Sequence, residues 1–143
     1  MRAHRKKWNI VLMHKDVLQY RIHGRPERTE GIDDDNGRVW MPVFDELGID
    51  VVFSAHLHTY RNRGHIYGFQ KTPDKKGPLY ILTGVAGNVR YPNLWIDHPF
   101  DEVTLPQPET DNYLTMNVGR DAIEIACFLP DGREMDRVKV TKR

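Results

Sequence analysis

In the stretch VVFSAHLHTYRN, residues 51–62, a short apolar run ends in two histidines separated by one residue. Such a run is typical of a strand that is covered on both faces. Residues two apart in an extended chain lie roughly 6.5 Å apart and point to the same side. His56 and His58 therefore suit two neighbouring metal ions, with bonds of about 2.1 Å and roughly 3.5–4 Å between the ions. The alternative is two solvated histidines in a turn.

A second apolar run, WNIVLMH at residues 8–14, also ends in a histidine, His14. Between the two runs, VWMPVFDELG at residues 39–48 predicts a short amphipathic helix, with Pro42 in its first turn and a glycine C-cap. Its predicted apolar face is Val39, Val43, Phe44 and Leu47. Because α/β proteins place sites at the ends of neighbouring strands, we expect the three histidines to converge.

The rest of the chain completes an α/β (α+β) fold with a mixed sheet. Residues 15–38 predict a long polar loop, and GPLYILTGVAG at residues 77–87 predicts another buried strand. Residues 89–111 predict an ordered surface excursion, and residues 112–143 predict an antiparallel meander of three strands. Cys127 is expected in a buried strand of that meander. We expect one folded unit of 143 residues.

Composition excludes several classes of protein. Lys and Arg number 21 against 20 for Asp and Glu, which argues against a nucleic-acid or anionic-membrane partner. No run approaches the roughly 20 apolar residues that span a bilayer. The N-terminal stretch is basic, but its apolar part is too short for a signal peptide. The lone cysteine does not decide the redox compartment.

The three blocks WNIVLMH, FDELGIDVVFSAHLHTYRN and GPLYILTGVAGN, which run from residue 8 to residue 88, resemble the last three blocks of the calcineurin-like metallophosphoesterases, most closely the purple acid phosphatase branch. The resemblance implies a β-sandwich flanked by helices and a dinuclear site of Fe, Zn or Mn that hydrolyses phosphate esters. It implies that His14 and His56 bind one ion and that His58 binds the other. His23 falls where plant members carry histidines near the substrate, so phosphate contact is implied there. A secreted or periplasmic location is also implied.

The other half of the family's site comes from Asp-x-His, Gly-Asp-x-x-Asp and Gly-Asn-His blocks, and this chain contains none of them. The chain therefore resembles a C-terminal half, whose partner would be the upstream half of the same domain. Two dications need a bridging carboxylate, so we expect the isolated chain to be inactive. Lys15, Asp16 and Ala55 depart from the family pattern. The alternative function is a non-catalytic metal-binding or interaction module.

Further residues allow two interpretations each. Arg61 and Arg63 suit an anionic substrate or ordinary surface charge. Tyr91, Trp95 and Phe100 suit a specificity wall or anchors for the excursion. GIDDDNGR resembles a calcium loop but lacks carboxylates at its first and last positions, which favours a solvated acidic turn. GVAGN favours a tight turn over a dinucleotide loop. Because half a sandwich leaves sheet edges or apolar faces uncovered, we expect self-association, most simply as a two-fold dimer.

Overall fold

The computed structural model describes residues 6–84, 94–105 and 111–142. Within them the chain forms one helix and eleven strands. The first half contains β1 (Ile10–Leu12), β2 (Leu18–Gln19), β3 (Gly31–Ile32), α1 (Gly37–Leu47), β4 (Val51–Ser54) and β5 (Arg61–Tyr67). The second contains β6 (Gln70–Lys71), β7 (Leu79–Leu82), β8 (Val103–Thr104), β9 (Tyr113–Val118), β10 (Ala122–Phe128) and β11 (Glu134–Thr141).

A mixed sheet in the order β1-β4-β7-β5-β6, with β8 also paired to β5, forms the centre of the fold. Strands β1, β4 and β7 are parallel, and β5 runs antiparallel to β7. The register pairs Leu12 with Phe53 and Ser54 with Leu82. The carboxyl ends of the three parallel strands therefore meet at one edge of the sheet, as expected from the two histidine-terminated runs.

Both faces of the mixed sheet are covered. On one face, Val52, Tyr80 and Leu82 pack with α1 and with the segment around β2. On the other face, Val51 and Ile81 pack with the meander of β9, β10 and β11. This is a mixed α/β arrangement, in which a mixed sheet and an antiparallel sheet enclose a core as in part of a β-sandwich. The predicted fold class is confirmed.

The helix forms where the sequence predicts it, but its buried face differs. It begins at Gly37, so Pro42 lies in the second turn rather than the first. Met41 and Phe44, three residues apart, are buried, whereas Val39 is 53% exposed. The prediction that Val39 belongs to the buried face of the helix is therefore wrong, because the buried stripe starts from Met41. Gly48 ends the helix in the left-handed conformation (φ 62°), as predicted.

Strand β5 was not expected, because its sequence RNRGHIY is polar. It nevertheless pairs with β7 and β8 within the mixed sheet. Arg61, Asn62 and Arg63 are all buried, since their polar groups have partners inside the protein. The predicted loop of residues 15–38 contains the short antiparallel ribbon of β2 and β3 and the first residues of α1.

The meander forms as the sequence predicts, whereas only residues 94–105 and 111 of the predicted excursion lie within the described residues. Strand β10 pairs antiparallel with both β9 and β11, and Cys127 is fully buried. Trp95 and Phe100 pack against the core beside α1, which favours the anchoring interpretation of these aromatics. Tyr91 and Asn88 lie outside the described residues.

One edge of the mixed sheet stays open in the described residues. Strand β1 is the terminal strand of the order, and its Leu12 is 79% exposed. Trp40 of α1 is also partly exposed beside it. An open edge is therefore present, and self-association stays a prediction. Among the described residues, no helix has the length and hydropathy needed to span a bilayer.

Candidate functional site

His14 and His56 meet at the carboxyl edge of the mixed sheet. His14 follows β1 and His56 follows β4, which are adjacent and parallel. The Nε2 atom of His14 lies 3.1 Å from Nδ1 of His56, and the two rings meet edge to face with centroids 5.0 Å apart. Both side chains are exposed to solvent. Two strand ends that the sequence singled out therefore converge on one pair of imidazoles.

The backbone around His56 forms a tight turn. His56 and His58 both have positive φ, 75° and 54°, a conformation that histidine adopts more readily than bulkier residues. The Leu57 amide donates to the Ala55 carbonyl at 3.0 Å. From outside the turn, the Trp95 indole donates to the Leu57 carbonyl at 3.0 Å. The His-x-His segment is thus not extended, so the two side chains do not project in parallel as a strand would project them.

A lysine ammonium joins the pair. Nζ of Lys15 lies 3.3 Å from Nε2 of His56. Because an ammonium is only a donor, Nε2 of His56 accepts this hydrogen bond and the proton of the neutral ring resides on Nδ1. That N–H then donates to Nε2 of His14. Loss of solvation lowers the pKa of His56, and the positive charges of Lys15, His14 and His58 act in the same direction.

His58 influences His56 electrostatically but does not form a three-residue metal-ligand group with His14 and His56. It is half-buried, and its charge is one of the influences that lower the pKa of His56. Within residues 6–84, 94–105 and 111–142, no three His, Cys, Asp or Glu side chains form a group that could hold one ion. The observed contact joins His14 and His56, and metal binding by all three histidines stays a prediction.

The geometry of the pair fits two ligands of one ion. Two imidazole nitrogens bound to the same tetrahedral ion at 2.0–2.1 Å are about 3.4 Å apart. The separation between Nε2 of His14 and Nδ1 of His56 is 3.1 Å, so an ion would bind between them only after a small opening and after the Nδ1 proton of His56 moves to Nε2, which breaks the Lys15 contact. The neutral form of His56, favoured by its lowered pKa, is the form that donates a lone pair. The donor chemistry therefore fits a metal such as zinc, with part of the ligand set supplied.

Arg61 and Arg63 lie inside the protein, so the interpretation as ordinary surface charge is wrong. Arg63 is fully buried and forms a bidentate ion pair with Asp16, with Nη1 2.9 Å from Oδ1. Arg61 is paired with Asp97 and lies 3.5 Å from Asp101. Substrate binding by either arginine stays a prediction, which this burial does not favour.

The two guanidinium groups share one buried network. The Tyr20 hydroxyl accepts from Nε of Arg63 at 3.1 Å and donates to Asp101 at 2.7 Å. Both guanidinium groups also lie over the Tyr20 ring, 5.8 and 5.6 Å from its centre for Arg61 and Arg63. Burial disfavours the charge on Arg63, but Asp16, Tyr20 and Asp101 outweigh it and raise the pKa of Arg63. The buried guanidinium groups of Arg61 and Arg63 are therefore paired with carboxylates.

His23 lies on a different part of the surface loop. It is exposed, and its amide donates to the Leu94 carbonyl at 3.0 Å. It lines a cleft of about 310 Å³ together with Arg21, Arg25 and Arg28. Arg21 is paired with Glu30 at 2.5 Å. Phosphate contact by His23 stays a prediction, and the cleft gives it a basic setting.

Sequence reasoning missed the residues that support the pair. Asp16 was noted only as a departure from the family pattern, although it binds Arg63 and Ser54 in the interior. The available signal was the alternation in RNRGHIY, where Arg61 and Arg63 share one side of a strand and demand buried carboxylates. The contact of Trp95 with the turn is long-range and had no local signal.

Comparison with known proteins gives partial matches at low identity. The chain is 31% identical over 71 residues to purple acid phosphatase 13 of Arabidopsis thaliana, covering 50% of this chain and 12% of that protein. It is 31% identical over 94 residues to purple acid phosphatase 19 of the same plant, covering 59% and 22%. It is 27% identical over 131 residues to purple acid phosphatase 1 of Ipomoea batatas, covering 82% and 24%.

These relatives are much longer than the matched region. The chain spans less than a quarter of the length of each. No protein-family model matches the chain. The matches support a distant relation of this chain to the purple acid phosphatases.

Proposed function

We propose that this chain is the C-terminal portion of a metal-dependent phosphoesterase. The observation that carries this proposal is the contact of His14 with His56 at the ends of two parallel strands. In the complete protein, these two side chains would hold one divalent or trivalent ion, and His58 would hold its neighbour. The metals would supply a hydroxide for attack on a phosphate ester. Iron, zinc and manganese fit this chemistry.

The substrate would approach the exposed side of the histidine pair. The basic cleft beside His23 supports a role for this histidine near the phosphate or leaving group. The upstream half of the domain would supply the bridging carboxylate. The expected result for the isolated chain is therefore no hydrolysis of an aryl phosphate, even with added manganese, zinc or iron. Robust turnover by the purified chain that is abolished by His58→Ala would contradict this division of the site.

Metal binding tests the proposal directly. In calorimetric titration with zinc or manganese chloride at pH 7.5, the chain should bind one ion weakly, and His14→Ala and His56→Ala should each remove the binding. His23→Ala is the matched control, because it removes an exposed histidine from another part of the loop and should leave the affinity unchanged. Unchanged binding in both site variants would refute the shared site.

A non-catalytic metal-binding or interaction module is the second candidate. The observation that favours it is the ammonium of Lys15, 3.3 Å from His56, since its positive charge opposes the binding of the two metal cations that the enzyme would need. Under this proposal the histidines serve weak metal capture or local structure. Sequencing the genomic region upstream discriminates the two candidates: a continuous reading frame with Asp-x-His and Gly-Asn-His blocks supports the enzyme, and its absence supports the module.

A further inference from the structure

Two buried polar residues connect the chain segments that carry His14 and His56. Asp16 lies two residues after His14, and Ser54 lies two residues before His56. The Ser54 hydroxyl donates to Oδ1 of Asp16 at 3.0 Å. Both are buried, with 6% and 3% of their surface exposed. We propose that Asp16 and Ser54, held by Arg63, are positioning residues that fix the two imidazoles relative to each other.

Asp16 is held firmly enough to act as a fixed point. Its Oδ1 atom accepts from the Val17 amide at 2.8 Å and from Nη1 of Arg63 at 2.9 Å, in addition to Ser54. Its Oδ2 atom accepts from Nη2 of Arg63. Arg63 belongs to β5, two strands away from β4 across β7. The loop after β1 is therefore tied to the sheet interior by a carboxylate with four donors.

The backbone supplies only part of the constraint. The Ala55 amide donates to the His14 carbonyl at 3.1 Å, which joins the two strand ends but leaves the side-chain torsions free. His56 lies in a turn with positive φ, a conformation that persists when surrounding contacts impose it. The Asp16 and Ser54 contact is buried, and Ser54 lies two residues before His56 in the chain. Its loss should let the His56 ring move away from His14.

Only one expected consequence, a lowered metal affinity, rests on the proposed function. Groups behind metal ligands set ligand orientation, and their loss commonly lowers metal affinity about ten- to hundredfold. The positioning itself is measurable without metal, because the lysine contact favours the Nδ1–H tautomer of His56. Failure of metal binding in the unaltered chain would refute the proposed site but would leave the tautomer measurement decisive for positioning.

The experiment compares Ser54→Ala and Asp16→Asn with a matched control, Asp50→Asn. Asp50 also accepts a backbone amide, from Asn9 at 2.8 Å, and a cation, Lys142 at 2.7 Å, but it lies at the opposite end of β4. Long-range nitrogen–proton correlation spectra of the imidazoles at pH 8 report the tautomers, and cobalt titration followed by visible absorption reports the affinity.

We expect Ser54→Ala and Asp16→Asn to shift His56 toward a tautomer mixture and to weaken cobalt binding about tenfold or more. Asp50→Asn should change neither reading. Unchanged imidazole spectra in folded Ser54→Ala protein would overturn the proposal. Equal changes in Asp50→Asn would also overturn it, since the effect would then be general loss of stability. If Asp16→Asn fails to fold, Ser54→Ala decides the outcome, because it removes only one hydroxyl.

Discussion

Replacement of Arg63 by methionine should cost this protein a large part of its stability. The Arg63 side chain is 0% exposed, and the carboxylates of Asp16 and Asp101 that face it are 4% and 2% exposed. Removing the cation would leave two buried carboxylates short of a partner. Breaking a buried ion pair in this way costs about 3–5 kcal/mol. Small domains have total stabilities of about 5–15 kcal/mol, so the loss is a substantial fraction.

Urea unfolding followed by tryptophan fluorescence measures this change. With an m value of about 1–3 kcal/mol per molar, the midpoint should fall by roughly 1 M or more. Arg137→Met is the matched control, because Arg137 is half-exposed and pairs with Glu134 at the surface. Water screens such a pair, so the control midpoint should stay unchanged within error.

A double substitution tests the cause. Arg63→Met combined with Asp16→Asn removes a charge from each partner and keeps an acceptor for the Ser54 hydroxyl. It should recover part of the stability that Arg63→Met loses, since one uncompensated charge is gone. A midpoint for Arg63→Met equal to that of the unaltered chain would refute the reasoning, because it would mean that the buried network contributes nothing.

Two further predictions concern acid sensitivity and association. Burial lowers the pKa of His98, with Arg63 adding to this and Asp101, the Gly31 carbonyl and Asp16 opposing it. The unfolded chain therefore binds more protons than the folded chain below the ordinary histidine pKa of about 6.5. The free energy of unfolding should fall as the pH drops below that value. His98→Gln should reduce this dependence of the free energy of unfolding on pH, as measured by urea titrations at several pH values. The open edge at β1 should support a dimer at micromolar concentration, and Leu12→Lys should convert it to monomer in size exclusion with light scattering; a clean monomer of the unaltered chain would contradict this.

The sequence predicted those parts of the fold whose signals are local. Apolar runs located β1, β4 and β7, and alternation with turn residues located the meander, because strand periodicity depends on neighbouring residues. The glycine at position 48 located the end of α1. Strand β5 was missed because its burial depends on carboxylates from Asp16 and Asp101, which come from distant parts of the chain.

In the candidate site, too, the sequence predicted what depends on local signals and missed what depends on distant residues. The convergence of His14 and His56 follows from two parallel strands that end together, so strand ends alone predicted it. The conformation of His56 and His58 did not follow, because both adopt positive φ in a turn that the distant Trp95 indole contacts. The proximity of Lys15 to His56 was equally hidden, since an exposed lysine has no pattern that fixes its direction.

The proposed site requires that His14 and His56 share one metal ion. The most direct test is anomalous diffraction from crystals of the chain grown with zinc chloride, collected on both sides of the zinc absorption edge. If the two histidines share the ion, an anomalous peak should lie about 2.1 Å from Nε2 of His14 and from a ring nitrogen of His56. A peak bound elsewhere, or a histidine pair that keeps its 3.1 Å contact at saturating zinc, would contradict it.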